Sequence, residues 1–299
     1  MLPNLIIIGA SKCATTSLHW YLATHPEVFM TRQKELHFFI DDAAWGTWHR
    51  GLPWYEEQFE AGQKYPIRGE SSPGYTHEDN SKRAAELMAQ TVPGARLIYL
   101  MRDPVERIKS HYGEEMFWGR IPTSVSLNAI IASANILNSP AQRYFRMLVY
   151  TSLYHRQLFH YVQRFALNQL LCITTEALRR EPNEVMKSIF SFLRIDTQWK
   201  VPTLGIKYNQ VEGKRLRFIN PTAVLRAIPG YNRLSSLTPA WVKGIYRQAV
   251  SRKIDYSALT EISERNMDFI MKLITADVEK LSRLLGRSFE EWSYPEGKV

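Results

Sequence analysis

Cysteine is almost absent from this 299-residue chain: only Cys13 and Cys172 occur, far apart and with no C-x-x-C pair. That excludes a disulfide framework and any sulfur-rich zinc site, and it fits a reducing, cytoplasmic setting. Long apolar runs are also missing. The longest near the start, Leu5-Ile6-Ile7-Ile8, is far short of the roughly 18 residues a membrane span needs, and no basic stretch leads it. The expectation is a soluble protein with no transmembrane segment. Glycine and proline, fifteen each, are not in excess, and there is no repeat, low-complexity tract or Ser/Gly/Pro linker. A single domain over 1–299 with inserted loops follows, and a disordered or fibrous chain is excluded. Metal-ligand clusters are lacking too, because the Glu35-x-His37 pair has no companions at ligand spacing.

Acidic residues are scarce in one place. From Val201 to Lys253 there are ten Lys or Arg and one acid, Glu212, so this segment alone carries an excess equal to the net +9 of the whole chain. Such a field suits a polyanionic ligand, nucleic acid or an anionic membrane, or it is a solvated face. No nucleic-acid-binding motif accompanies it.

The apolar pattern is that of an α/β fold. Asn4 to Ile8 reads as a buried parallel strand, followed by a helix over Thr16 to Ala23 that His25-Pro26 stops. Arg96 to Met101 reads as a second strand, followed by Asp103-Pro104 as helix cap and first turn. Leu170 to Thr174 is a third strand with a helix near Asn183 to Leu193, and Glu264 to Leu285 is a packing helix ending at Gly286. Repeated strand-then-helix units imply a mostly parallel sheet covered on both faces, with ligands at the carboxyl ends of its strands.

The loop Gly9-Ala10-Ser11-Lys12-Cys13-Ala14-Thr15-Thr16-Ser17 joins the first strand to a helix N-terminus. Small residues admit an anion to the backbone, the helix start attracts it, and Lys12 and the three consecutive hydroxyls of Thr15, Thr16 and Ser17 add charge and donors. Phosphate binding is implied. The Walker A spacing is broken, since Ser11 precedes the lysine and Cys13 follows it, which argues against a magnesium-bound triphosphate.

This loop, with His25-Pro26, Lys34-Glu35-Leu36-His37-Phe38-Phe39, Gly69-Glu70-Ser71-Ser72-Pro73-Gly74-Tyr75, Leu100 to Arg107, Ile173 to Leu178 and Leu284 to Trp292, resembles the sulfotransferase family. The likeness is greatest to the carbohydrate, heparan-type and related bacterial members. It implies a P-loop-like parallel sheet flanked by helices, and sulfuryl transfer without a metal. The donor it implies is 3′-phosphoadenosine 5′-phosphosulfate (PAPS), which leaves adenosine 3′,5′-bisphosphate (PAP). By resemblance, Lys12 with Cys13, Ala14, Thr15, Thr16 and Ser17 grips the 5′-phosphosulfate, and Arg102 and Ser110 bind the 3′-phosphate. Glu35 is then the catalytic base, with His37 as its orienting partner or the base itself. Lys214 and Arg215, with Arg217 behind them, correspond to a basic loop that closes on the nucleotide. Ser71 departs from the pattern, because heparan-type enzymes commonly carry lysine there; Glu70 and Ser71 are read either as site residues or as a turn.

The segment 34–39 alternates charged and apolar residues like an extended edge, which would set Glu35 and His37 on one side. Trp45, Trp48, Trp54 and Tyr55 suit either core packing or an acceptor surface for sugar rings or hydrophobic alcohols. His77 and His111 are nearby titratable groups. The acceptor is a hydroxyl compound: a glycan, glycolipid, carrier-bound acyl chain and phenol all remain open. A small-molecule kinase built on the same loop, and a non-catalytic polyanion binder, are the alternatives.

Overall fold

The computed structural model describes residues 1–136, 139–205, 216–217, 251–252 and 259–292. Five parallel strands form one sheet: β1 (Leu5–Gly9), β2 (Val28–Met30), β3 (Ile67–Ser71), β4 (Arg96–Met101) and β5 (Leu170–Thr174), in the order β2-β3-β1-β4-β5. Every residue of β1 is buried, so both of its faces are covered, which explains its unbroken apolar run. The expected strands at the first, second and third positions are present, the first shifted by one residue.

The chain leaves β1 through α1 (Thr15–Leu22) toward β2 and β3 on one side of the sheet. After β3 it passes through α3 (Ser81–Thr91) to β4 and β5 on the other side, following α2 (Gly51–Glu57) earlier in the chain. The adjacent strands β1 and β4 therefore send their following segments in opposite directions. At such a switch point a crevice opens beyond the carboxyl ends of the strands, here between the loop after β1 and Arg102 after β4.

Residues 67–71 correct one expectation. They read Ile-Arg-Gly-Glu-Ser, yet they form β3, paired with β1 in the register Leu5↔Gly69, Ile6↔Glu70 and Ile7↔Ser71. Glu70 and Ser71 therefore lie in a buried strand, not a turn. A strand carrying Glu is stable here because the carboxylate is supplied with donors, as described below.

The chain divides into two compact units, one comprising Met1–Arg107, Arg146–Asn209 and Asp268–Val299, the other Ile108–Phe145 and Gln210–Met267. The first holds the sheet, its apolar core, and the helices α7 (Tyr154–Val162), α8 (Thr175–Arg180) and α9 (Pro182–Leu193). In the second, α5 (Leu127–Ala132) is capped by Ser126 Oγ, which accepts from Ala129 N at 3.1 Å. There too, β6 (Leu216–Arg217) pairs antiparallel with β7 (Ser251–Arg252). Among the described residues the remaining α-helices are α4 (Pro104–Phe117), α6 (Pro140–Leu148) and α10 (Glu264–Leu285), the last with the bounds its periodicity predicts. No helix among the described residues is long and apolar enough to cross a membrane. Lys214 and Arg215 lie outside the described residues, as does most of the basic segment.

Candidate active site

The loop after β1 is built for an anion by its backbone. Lys12 and Ala14 take left-handed conformations, φ 71° and 59°, unusual for residues with a Cβ. Left-handed residues alternating along a short loop are the signature of a concave amide nest. Ala14 is also the N-cap of α1 and offers no side-chain acceptor, so the first-turn amides of the helix are not consumed by a cap. Thr15 and Ser17 are buried, whereas Thr16 is partly exposed.

Cys13 contributes shape rather than chemistry. Its amide closes a turn onto Ala10 O at 3.2 Å, and its thiol is fully buried, 3.7 Å from both Ser11 O and Tyr154 Oη. Burial pushes that thiol up to about 11, so it stays protonated and unreactive at neutral pH.

Two side chains that the sequence reading did not single out hold this loop. Arg107 is completely buried; its Nε donates to Ser11 O at 3.1 Å, while Nη1 donates to Leu148 O at 3.1 Å and Ser152 Oγ at 2.7 Å. Tyr154 Oη accepts from Arg102 N at 3.1 Å and donates to Arg102 O at 2.7 Å, so one hydroxyl links the loop after β1 with the residue after β4. The only available signals were Arg107 ending a matched motif and Tyr154 opening a helix, neither of which reveals a long-range partner. Arg107→Leu strands buried acceptors, so we expect it to destabilise the protein by about 2–4 kcal/mol. A thermal melt reads this, and an unchanged midpoint would refute it.

Arg102 follows β4 with its side chain 19% exposed and pairs with Glu106 Oε2 at 3.3 Å, not with Asp103. Ser110 lies on α4 and belongs to the second unit. The other matched motifs have structural work nearby. Glu176 accepts from Asp103 N at 3.2 Å and Trp292 Nε1 at 3.3 Å, and Thr174 Oγ1 donates to Glu291 Oε1 at 2.8 Å. The segment ending at Trp292 thus locks the start of α8 beside the turn that presents Arg102.

Segment 34–39 is not extended. Glu35 and His37 both have positive φ, 65° and 53°, so the chain coils where alternation suggested an edge strand. Four of the five non-glycine residues with positive φ among the described residues fall in the two loops singled out for chemistry. Despite the coiling, Glu35 and His37 remain neighbours, with His37 Nε2 3.8 Å from Glu35 Oε2. Lys34 Nζ donates to Glu35 Oε1 at 2.5 Å.

Glu70 explains how so irregular a loop is held. Its carboxylate, fully buried, accepts from Ser72 Oγ at 2.6 Å, Tyr75 Oη at 2.6 Å and Tyr55 Oη at 3.1 Å. Ser72 Oγ in turn accepts from His37 N at 3.1 Å, and Tyr75 Oη from Phe39 N at 3.4 Å. With Glu35 N bonded to Ser71 O at 3.0 Å, three amides of the loop are tied to the end of β3. Burial pushes the Glu70 carboxyl above its usual range against the pull of the three hydroxyls. It is a buried anchor with its donors already in place.

The electrostatics of Glu35 and His37 keep both groups unprotonated at neutral pH. Burial works to raise the Glu35 carboxyl, but Lys34 at contact distance, with His37 and Lys12 beyond it, holds it below the usual carboxylate range. His37 is shifted down by burial and by Lys34, although Glu35 pulls the other way. At neutral pH the pair is a carboxylate beside a neutral imidazole. His111, in the second unit, is nearly buried with Nε2 3.6 Å from Glu115 Oε1 on the same helix. Among the described residues no three His, Cys, Asp or Glu side chains gather as metal ligands.

The family model described as "Sulfotransferase domain" matches residues 2–214, well over half of the chain and all of the loops just described. The chain belongs to the sulfotransferase family. It is similar to the membrane-associated sulfotransferase kil1 of Dictyostelium discoideum, with 36% identity over 120 residues, 39% of this chain and 24% of that protein. It also resembles the mouse heparan sulfate glucosamine 3-O-sulfotransferase 3B1, with 28% identity over 193 residues, 64% of this chain and 46% of the mouse enzyme. A bifunctional heparan sulfate N-deacetylase/N-sulfotransferase of Caenorhabditis briggsae matches 89% of the chain at 25% identity, covering 30% of its own length. The chain thus spans less than half the length of each of these relatives. Among solved structures, a sulfotransferase from Alicyclobacillus acidocaldarius shares the fold, with a TM-score of 0.66, 20% identity, and coverage of 98% of this chain and 99% of that one.

Proposed function

We propose that this sulfotransferase-family chain transfers a sulfuryl group from PAPS to a hydroxyl acceptor by in-line displacement, with Glu35 as general base. The observation that carries the reading is the common electrostatic neighbourhood of Glu35 and Lys12. The lysine of the anion loop acts on the same carboxyl that Lys34 and His37 surround. The candidate base and the cation of the loop after β1 thereby share one electrostatic neighbourhood.

The residues fit an anionic donor. The left-handed loop and uncapped α1 offer amides to the 5′-phosphosulfate, and Arg102, at the end of β4, offers a planar fork to the 3′-phosphate. When bound, the donor supplies the sulfuryl group and a phosphate leaving group. Lys12 neutralises charge on the oxygen that departs. Glu35, ionised at neutral pH, accepts the proton of the acceptor hydroxyl, and His37 holds the second carboxylate oxygen's side of the site. The loop anchored by Glu70 fixes where that proton is taken.

The deciding experiment is calorimetric titration with PAP in EDTA. Micromolar binding without metal is expected; absence of binding would replace the reading with a non-catalytic polyanion binder, and equal binding of ADP with Mg²⁺ with a kinase. Lys34 supplies a second check. Because it holds the Glu35 carboxyl low, Lys34→Met should move the acid limb of the kcat/KM profile to higher pH, with activity lost at pH values where the wild type still works. A limb that stays in place would dissociate Glu35 from the proton transfer.

A further inference from the structure

Trp45 stands apart from the other tryptophans of its segment. Trp48 and Trp54 pack on the core through Phe38, at ring-centroid separations of 5.0 and 6.3 Å, whereas Trp45 is 38% exposed. It is nonetheless held firmly. Its amide donates to Asp42 O at 3.0 Å in a tight turn, and Gly46 is required there, because a Cβ would fall 1.8 Å from Ile40 O. Its ring lies on Gly74, where a Cβ would meet Trp45 Cη2 at 2.5 Å. Gly74 thus opens space for an indole that is only partly covered, and Gly46 lets the turn that carries it pass close to Ile40.

Both ring neighbours of Trp45 belong to the reaction centre. His37, beside Glu35, lies 5.0 Å from it at 40°, and His77 stacks on it at 5.3 Å and 29°. His77 also hydrogen-bonds Ser11 Oγ of the anion loop at 2.7 Å. The half-exposed indole therefore joins the base side to the donor side, and a molecule presenting its hydroxyl to Glu35 lies within reach of it. The charged side chains of the same turn are both acids, Asp41 and Asp42. Asp41 engages Arg83 at 2.7 Å, and Lys34 is already taken by Glu35. The turn at 40–47 carries no Lys or Arg to pair the charges of a polyanion, and its exposed aromatic face suits a ring with an apolar face.

We infer that Trp45 forms the acceptor subsite, and that the acceptor is an uncharged molecule whose hydroxyl is carried on a ring with an apolar face, a neutral sugar or a phenol. This rests on the transfer reading above and narrows it away from carboxylated or sulfated polysaccharides. His37 and His77 act on it as positioning residues by fixing the plane of the indole.

The test is transfer of labelled sulfuryl from PAPS to four acceptors: a neutral alkyl glucoside, 4-nitrophenol, unsulfated heparosan and a linear primary alcohol. The expected result is that one of the two ring acceptors has the highest kcat/KM, and which of them it is identifies the source of the ring. Trp45→Ala should raise KM for that acceptor about tenfold with little change in kcat, while Trp45→Phe keeps most of the affinity. PAP binding and the thermal midpoint of both variants should match the wild type. Preference for heparosan or the linear alcohol, no label on either ring acceptor, or an unchanged KM in Trp45→Ala would overturn the inference while PAP still binds. Failure of the wild type to bind PAP would instead overturn the transfer reading beneath it.

Discussion

Glu35→Gln should lower kcat by about a hundredfold or more while leaving PAP affinity within about twofold of the wild type. The amide is the same size as the carboxylate and can still accept from Lys34, and the loop is tied down by the amides of Glu35, His37 and Phe39 rather than by this side chain. Only the capacity to take a proton is lost. His37→Asn is the paired control. If His37 merely supports the carboxylate, its replacement costs less than that of Glu35; if the imidazole is the base, the order reverses. Stopped-flow or labelled-transfer kinetics at saturating donor distinguish the two. An equal loss of donor binding in Glu35→Gln would mean that the carboxylate serves the anion loop instead.

The second large effect is expected at Lys12. Lys12→Ala should reduce kcat/KM by about 10²–10³, the cost of removing one preorganised stabiliser of developing charge, and should also weaken PAP binding in calorimetry. Lys12→Arg should not restore activity. The side chain leaves a backbone position at φ 71° in a loop pinned through Ser11 O by Arg107, so a longer planar head cannot place its charge where the ammonium stands. Wild-type PAP affinity in Lys12→Ala would detach the loop from the donor altogether.

These expectations rest on features of unequal legibility. The loop at 9–17 was readable because its chemistry is local: small residues, one lysine and a helix start occupy consecutive positions between a buried strand and an amphipathic helix. β1, β4, β5, α9 and α10 were readable for a related reason, since burial on both faces or on one stripe leaves a periodic record in the chain. β3 left no such record. Its Glu70 is acceptable in a buried strand only because Tyr55, Ser72 and Tyr75 bring hydroxyls to it. The coil at 34–39 was misread as extended because alternation of charged and apolar residues has the period of a strand. Anchoring to β3, not the intrinsic preference of the segment, sets φ at Glu35 and His37.

The sequence by itself therefore determined the fold class, three of the five strands of the sheet and the composition of the loop after β1. Each follows from residues near one another in the chain, where spacing translates directly into geometry. Tertiary structure alone decided how the loops are held and what faces them. Arg107 grips Ser11, Tyr154 bridges Arg102 and Cys13, Glu70 anchors the coil that carries Glu35, and His37 and His77 clasp Trp45. These contacts join side chains from segments that meet only after the strands have aligned, and a hydrogen bond or ring contact between distant segments has no period in the sequence.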